Sequence, residues 1–203
     1  YTSPRTMHWM TDALRYVTEL TDHDEPITAQ GFLHCLESHA HERLREAVTP
    51  DPDKEETGPD GMALGFAIPR IVFTYLDYLL VEEMNQWDFT FSYRTSVEHF
   101  SPGTEDIEHS SFAYRLEDPH LLDWFGNLAL VTVSTNSKFS NYLPAQKANN
   151  HDARRQSLKL ELMARRAETG SWNDADVRTH HEEMVELLRR ALAGERARSD
   201  SDI

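Results

Sequence analysis

The stretch Gly126–Asn141, GNLALVTVSTNSKFSN, places a short strand in a chain whose longer patterns are helical. Its centre, Leu128–Val133, is apolar and β-branched, which favours a buried strand. Asn127 and Asn136 bracket this strand, although asparagine is unfavourable in strands and only modest in helices. The two asparagines therefore need an explanation other than core packing.

Helical periodicity covers most of the remaining chain. It predicts helices over 6–20, 27–48, 69–84, 155–168 and 174–193, with Asn173 or Asp174 as the cap of the last. Further predictions are short strands at 87–93 and 96–100, a helix from about residue 135, and loops at 50–62 and from about 102 to 117. The tryptophans are predicted to be core residues: Trp9, Trp87, Trp124 and Trp172.

These patterns predict an α+β fold that is mainly α-helical, with a helical linker or subdomain at 1–86 and a second domain at 87–203. The longest apolar run, Ile71–Val81, is about half a membrane span and contains Asp77, so no membrane segment is expected. The single cysteine, Cys35, suits a reducing, cytoplasmic setting. Because the chain starts at Tyr1, we expect it to be a piece of a longer protein, with a natural end in its polar tail.

The distribution of charge bears on possible partners. The net charge of −15 argues against nucleic acid as a partner of the whole surface. The segment 136–166, however, holds seven basic and two acidic residues, so it carries +5 and the rest of the chain −20. Local charge decides what a groove attracts. This segment is therefore either a nucleic-acid contact or a solvated helix face.

One candidate catalytic site combines Glu98, His99 and Asn136. The first two are adjacent in an extended segment, so one side chain can bind a metal while the other faces a water. A strand followed closely by a helix brings Asn136 near the same place. A carboxylate and a carboxamide oxygen suit Mg²⁺ or Mn²⁺, and a histidine can act as a general base near neutral pH. Hydrolysis of a phosphodiester needs both functions.

Three motifs carry a resemblance to a known family: VEHFSP at 97–102, GNLALVT at 126–132 and NSKFSNYLP at 136–144. Together they resemble HNH endonucleases of the ββα-metal class, including the HNH nuclease of RNA-guided CRISPR effectors. Of the two resemblances, the closer is to the C-terminal nuclease domain of GmrSD-type, modification-dependent restriction enzymes. The resemblance implies a small ββα-metal core embedded among helices, within residues 87–203.

The resemblance also implies roles for individual residues. His99 resembles the general base, Glu98 and Asn136 resemble metal ligands for Mg²⁺ or Mn²⁺, and Asn127 resembles the residue that braces the His99 segment through backbone hydrogen bonds. The residues expected to contact DNA are Lys138, Lys147, Arg154 and Arg155. The implied function is a metal-dependent DNA endonuclease, the effector part of an anti-phage restriction protein.

The implied partners are DNA and an N-terminal, nucleotide-hydrolysing sensor domain on the same or a companion chain, and an oligomer is possible.

Other interpretations of the motifs and of the whole chain stay open. Gly126–Asn127 is also a common turn pair, and Asn136 is also a common helix cap. The chain could instead be a catalytically silent DNA- or protein-docking module whose acidic helical half is the working surface.

Overall fold

A computed structural model of the chain describes residues 8–48, 57–58, 61–103, 116–140, 142–170 and 172–194. The predicted loops at 50–62 and 102–117 lie mostly outside these residues. The chain forms two compact units, Tyr1–Glu46 and Ala47–Ile203. None of the described helices is both long and apolar enough to cross a bilayer.

The first unit contains helix α1, His8–Asp22, and all but the last two residues of helix α2, Ala29–Val48. Both helices are close to the predicted ranges. The side chains of His39 and Asp12 join the two helices, with 2.7 Å between Nδ1 and Oδ2. Gly31 permits close approach, because a Cβ at this position would lie 2.2 Å from the Tyr16 hydroxyl oxygen.

The second unit surrounds a two-stranded sheet with helices. Its elements are α3 (Arg70–Glu83), β1 (Ser96–His99), β2 (Leu128–Val131), α4 (Val133–Phe139), α5 (Pro144–Ala148), α6 (His151–Arg154), α7 (Leu158–Thr169) and α8 (Asp174–Leu192). The predicted α+β, mainly helical class is confirmed. The boundary between the units precedes the predicted one at residue 86, because α3 packs against α7, α8 and β2.

The two strands pair antiparallel, with Val97 opposite Leu130 and His99 opposite Leu128. All four residues of β2 are buried, as its apolar sequence predicts. Helix α4 follows after one residue: the Thr132 hydroxyl accepts a hydrogen bond from the Thr135 amide and caps the helix. The predicted start at residue 135 was therefore slightly late, and Asn136 lies inside α4 rather than at its cap.

The predicted strand at 87–93 is wrong. The Phe89 amide donates to the Gln86 carbonyl in a turn, and the segment has no place in the two-stranded sheet. Its alternating aromatics instead contact each other, with Phe89 and Phe91 edge to face at 4.9 Å. Trp87 is 71% exposed and Trp9 is also exposed, so neither is the core residue predicted, whereas Trp172 is buried.

A buried polar network fastens α7 to α3 and to the sheet. Asp77 on α3 pairs with Arg94 and accepts hydrogen bonds from the Ser157 hydroxyl and the Lys159 amide. The Lys159 ammonium donates to the carbonyls of Phe125 and Leu128, each at 2.7 Å. An unpaired buried polar group carries a desolvation penalty. The bonds of Lys159 therefore stabilise the position of the backbone from Phe125 to Leu128, where β2 begins.

The glycine before Asn127 has a packing role. A Cβ on Gly126 would lie 2.2 Å from the Val177 carbonyl oxygen and 2.8 Å from the His181 Cβ. Helix α8 therefore rests directly on the backbone of the 3₁₀ turn Phe125–Asn127, which no larger residue would permit.

His180 on α8 makes stability sensitive to acid. Its side chain is fully buried, and within the described residues neither ring nitrogen has a hydrogen-bond partner. Burial, helped by the positive charges of Lys159 and Arg166, holds the pKa of His180 well below its ordinary value of 6.5. Below about pH 6.5 the unfolded chain therefore binds a proton at this histidine, whereas in the folded chain the imidazole stays neutral. Its contribution to the free energy of unfolding is fully present above about pH 6.5 and is lost as the pH falls.

We accordingly expect the free energy of unfolding to fall by up to about 1.4 kcal/mol per pH unit below pH 6.5 through His180. Urea unfolding at several pH values measures this slope. His180→Leu should flatten it, while His23→Leu, at an exposed position after α1, should leave it unchanged. An equally steep slope in His180→Leu would contradict the assignment.

Candidate active site

The end of β1 is the centre of the candidate site. Glu98 and His99 are its last two residues and lie opposite Ala129 and Leu128 of β2. Successive strand residues face opposite sides, and their contacts agree: Glu98 meets α5, whereas His99 meets the two 3₁₀ turns Gly65–Ala67 and Pro119–Asp123.

Glu98 forms a buried ion pair with Lys147 of α5. The Lys147 ammonium donates to Glu98 Oε1 at 2.7 Å and to the His99 carbonyl at 2.5 Å, and it lies 5.7 Å from the centre of the Phe139 ring. Burial raises the pKa of Glu98 and lowers the pKa of Lys147, and each charge opposes the shift of the other. The lysine thus fixes both the carboxylate and the backbone of the neighbouring histidine.

His99 is partly exposed, with a fifth of its side chain accessible. Its Nε2 lies 2.8 Å from Asp123 Oδ1, and the ring of Phe66 meets the imidazole edge to face at 5.5 Å and 88°. Sequence reasoning missed Asp123. It belongs to no motif, and its distance of 24 residues from His99 carries no periodic signal.

Asn127 is completely buried and uses both ends of its carboxamide. Oδ1 accepts from the Ser101 amide at 2.8 Å and from the Trp172 indole at 3.2 Å. Nδ2 donates to the carbonyls of Ser101 and Leu122. The side chain therefore joins the segment after His99 to the turn that carries Asp123.

Asn136 lies in the second turn of α4 and is half-buried. Helix α4 packs against β1, so Asn136 and Glu98 belong to contacting elements. Among the described residues, the Asn136 carboxamide has no hydrogen-bond partner, which leaves it available to a ligand.

Glu98 and Asn136 offer oxygen donors, the type that Mg²⁺ and Mn²⁺ prefer. The Lys147 bond uses one carboxylate oxygen of Glu98, Oε1. The described residues contain no cluster of three or more histidine, cysteine, aspartate or glutamate side chains suited to a metal. The donor set therefore fits a cation that keeps several of its waters, as Mg²⁺ does.

The four basic residues expected to contact DNA differ in their placement. Lys138 and Arg155 are exposed. Lys147 is fully buried on Glu98, so its ammonium cannot reach a phosphate on the surface. Arg154 is nine-tenths buried and pairs with Glu161 and Glu168, which raises its pKa. For Lys147 and Arg154 the structure thus corrects the expectation of a DNA contact.

Burial also lowers the positive charge that the segment 136–166 carries at the protein surface, because Lys159 is buried in the interior, as are Lys147 and Arg154.

Arg155 lines a cavity of about 510 Å³ together with Phe89 and Arg165. Glu98, His99 and Asn136 do not line this cavity, so it is separate from the candidate active site.

Comparison with known proteins gives one family. A family model for the C-terminal domain of GmrSD restriction endonucleases matches residues 65–187, which is more than half of the chain. The matched range includes β1, β2, α4 and all the candidate site residues. Searches of the curated proteins and of the solved structures gave no significant match.

Proposed function

Because the chain belongs to the family of GmrSD restriction endonuclease C-terminal domains, we propose that its second unit is a metal-dependent DNA endonuclease of the HNH, or ββα-metal, type. The observation that carries the proposal is the order β1, β2, α4, which sets Glu98 and His99 at a strand end and Asn136 on the helix packed against it. This is the arrangement that the ββα-metal resemblance implies.

In this proposal Glu98 and Asn136 hold Mg²⁺ or Mn²⁺, which supplies stabilisation of negative charge on the phosphate. His99 accepts a proton from a water molecule as the water oxygen bonds to phosphorus. The bond from phosphorus to the 3′ oxygen breaks, and that oxygen takes a proton from solvent. The products are a 5′-phosphate and a 3′-hydroxyl.

The exposed Lys138 and Arg155 are the proposed phosphate contacts, because charged side chains at the surface can release counterions from DNA. The family is one of restriction endonucleases. We therefore place the nuclease in a modification-dependent restriction protein that defends against phage. A nucleotide-hydrolysing sensor domain would select the target DNA.

Nicking of supercoiled plasmid tests the proposal. The folded chain should nick with Mg²⁺ or Mn²⁺ and not with EDTA, and His99→Ala should lower the rate by about 10²- to 10⁴-fold because the general base is lost. His23→Ala, an exposed histidine outside the matched range, is the matched control. Absence of nicking by the full restriction protein with nucleotide and modified DNA, or undiminished nicking by His99→Ala, would overturn it.

A further inference from the structure

His99 is held on the side away from Glu98 by a residue that no motif assigns. Asp123 Oδ1 lies 2.8 Å from His99 Nε2. A carboxylate oxygen accepts hydrogen bonds and does not donate them, so Nε2 carries the hydrogen. We propose that Asp123 is a positioning residue: it fixes the orientation of the His99 ring and leaves Nδ1 as the nitrogen that meets the attacking water. This inference rests on the proposed nuclease function.

The surrounding backbone holds Asp123 in place. It ends the 3₁₀ turn Pro119–Asp123, and the Asp118 side chain caps the start of this turn by accepting a hydrogen bond from the His120 amide. The Leu122 carbonyl in this turn accepts a hydrogen bond from Asn127 Nδ2 at 3.0 Å. The same carboxamide group bonds to the Ser101 backbone. Asn127 thus sets the distance between the turn with Asp123 and the strand end with His99.

The turn Gly65–Ala67 packs against both Asp123 and His99. Gly65 has a φ of 54°, a conformation that favours glycine. A Cβ on Gly65 would lie 3.0 Å from Asp123 Oδ1, so the glycine lets the carboxylate pack against the backbone. The next residue, Phe66, contacts the His99 ring at its edge. The imidazole is therefore held between a hydrogen-bond acceptor and an aromatic ring.

Stability does not explain this arrangement. Asp123 is about half exposed, at 51% of its side chain, and exposed pairs of this kind contribute about 0–1 kcal/mol. Orientation of a reacting histidine is a larger effect: for histidines that ligate metals, loss of the partner that fixes the imidazole typically lowers activity by about 10- to 100-fold, and we expect an effect of this size for His99. The partial exposure also leaves the histidine accessible to a substrate.

Two variants test the inference by kinetics. Asp123→Ala should lower kcat for plasmid nicking by about 10- to 100-fold with KM for DNA unchanged. Asp123→Asn should recover most of the rate, because its carboxamide oxygen can accept the same hydrogen bond. Asp22→Ala, which removes an exposed carboxylate in the first unit, is the control for charge. Wild-type kcat in Asp123→Ala would overturn the inference.

A second measurement does not depend on cleavage. Nitrogen-15 NMR of the histidine side chains in the metal-free chain reports which nitrogen of His99 carries the hydrogen. We expect the Nε2–H form in the wild type and in Asp123→Asn, and a mixture in Asp123→Ala. An unchanged His99 spectrum in Asp123→Ala would overturn the inference.

The two measurements separate this inference from the proposed function. If the wild type and the full restriction protein do not cut DNA but Asp123→Ala alters the His99 spectrum, the nuclease proposal fails and the orientation of His99 by Asp123 stands. If His99→Ala abolishes cutting while Asp123→Ala changes neither rate nor spectrum, the nuclease proposal stands and the positioning role fails.

Discussion

Lys147→Met is expected to lower the free energy of unfolding by about 3–5 kcal/mol, because it leaves the Glu98 carboxylate buried without its partner. The lysine side chain is completely buried, and it bonds both to Glu98 and to the His99 carbonyl. Methionine has a similar length and suits the contact with Phe139, so the loss reports the charge rather than a cavity. Urea unfolding of the wild type and the variant measures the difference.

Two controls make this prediction specific. Lys138→Met removes an exposed lysine of α4 and should change stability by no more than about 0.5 kcal/mol. The double variant Glu98→Gln with Lys147→Met should lose less than Lys147→Met alone, because no unpaired charge remains buried. If Lys147→Met were as stable as Lys138→Met, the buried ion pair would not hold the site together.

Asn127→Ala is expected to cost about 3–5 kcal/mol, because it removes four hydrogen bonds from a fully buried side chain and each group left unpaired costs about 1–3 kcal/mol. The Ser101 amide and the Trp172 indole lose their acceptor. Hydrogen exchange provides a local measurement alongside urea unfolding: the Ser101 amide should exchange faster in the variant than in the wild type.

The matched control is Asn150→Ala. Asn150 caps the short helix α6 through one hydrogen bond to the Ala153 amide, and loss of a cap costs about 1 kcal/mol. Equal stability of the two variants, together with unchanged exchange at Ser101, would show that Asn127 does not brace the segment after His99.

Much of the candidate site could be predicted from sequence because its parts are local. Glu98 and His99 are neighbours on one short strand, and Asn127 and Asn136 are separated by one strand and the start of one helix. Over such distances the geometry of a strand and a helix largely determines where residues lie. The spacing of the motifs therefore pointed to the site that the family match covers.

The contacts of Lys147, Arg154 and Asp123 could not be predicted in this way. A lysine near a nuclease motif is usually interpreted as a phosphate contact, but Lys147 forms an ion pair with Glu98, 49 residues earlier in the chain. Asp123 meets His99 because the turn Pro119–Asp123, which is bonded to Asn127 through the Leu122 carbonyl, lies beside the end of β1. The charge of a residue is visible in the sequence, whereas its burial depends on which helix covers it.

The sequence by itself therefore determined the helical periods, the strand β2 and the family, since each depends on residues close together in the chain. It left the cap of α8 open between Asn173 and Asp174, and the structure assigns it to Asn173. Tertiary structure decided which polar side chains are buried and paired, and which aromatic side chains remain outside. It did so because the desolvation of a charge, or the exposure of Trp87, depends on which neighbours the packed helices and the two-stranded sheet bring together.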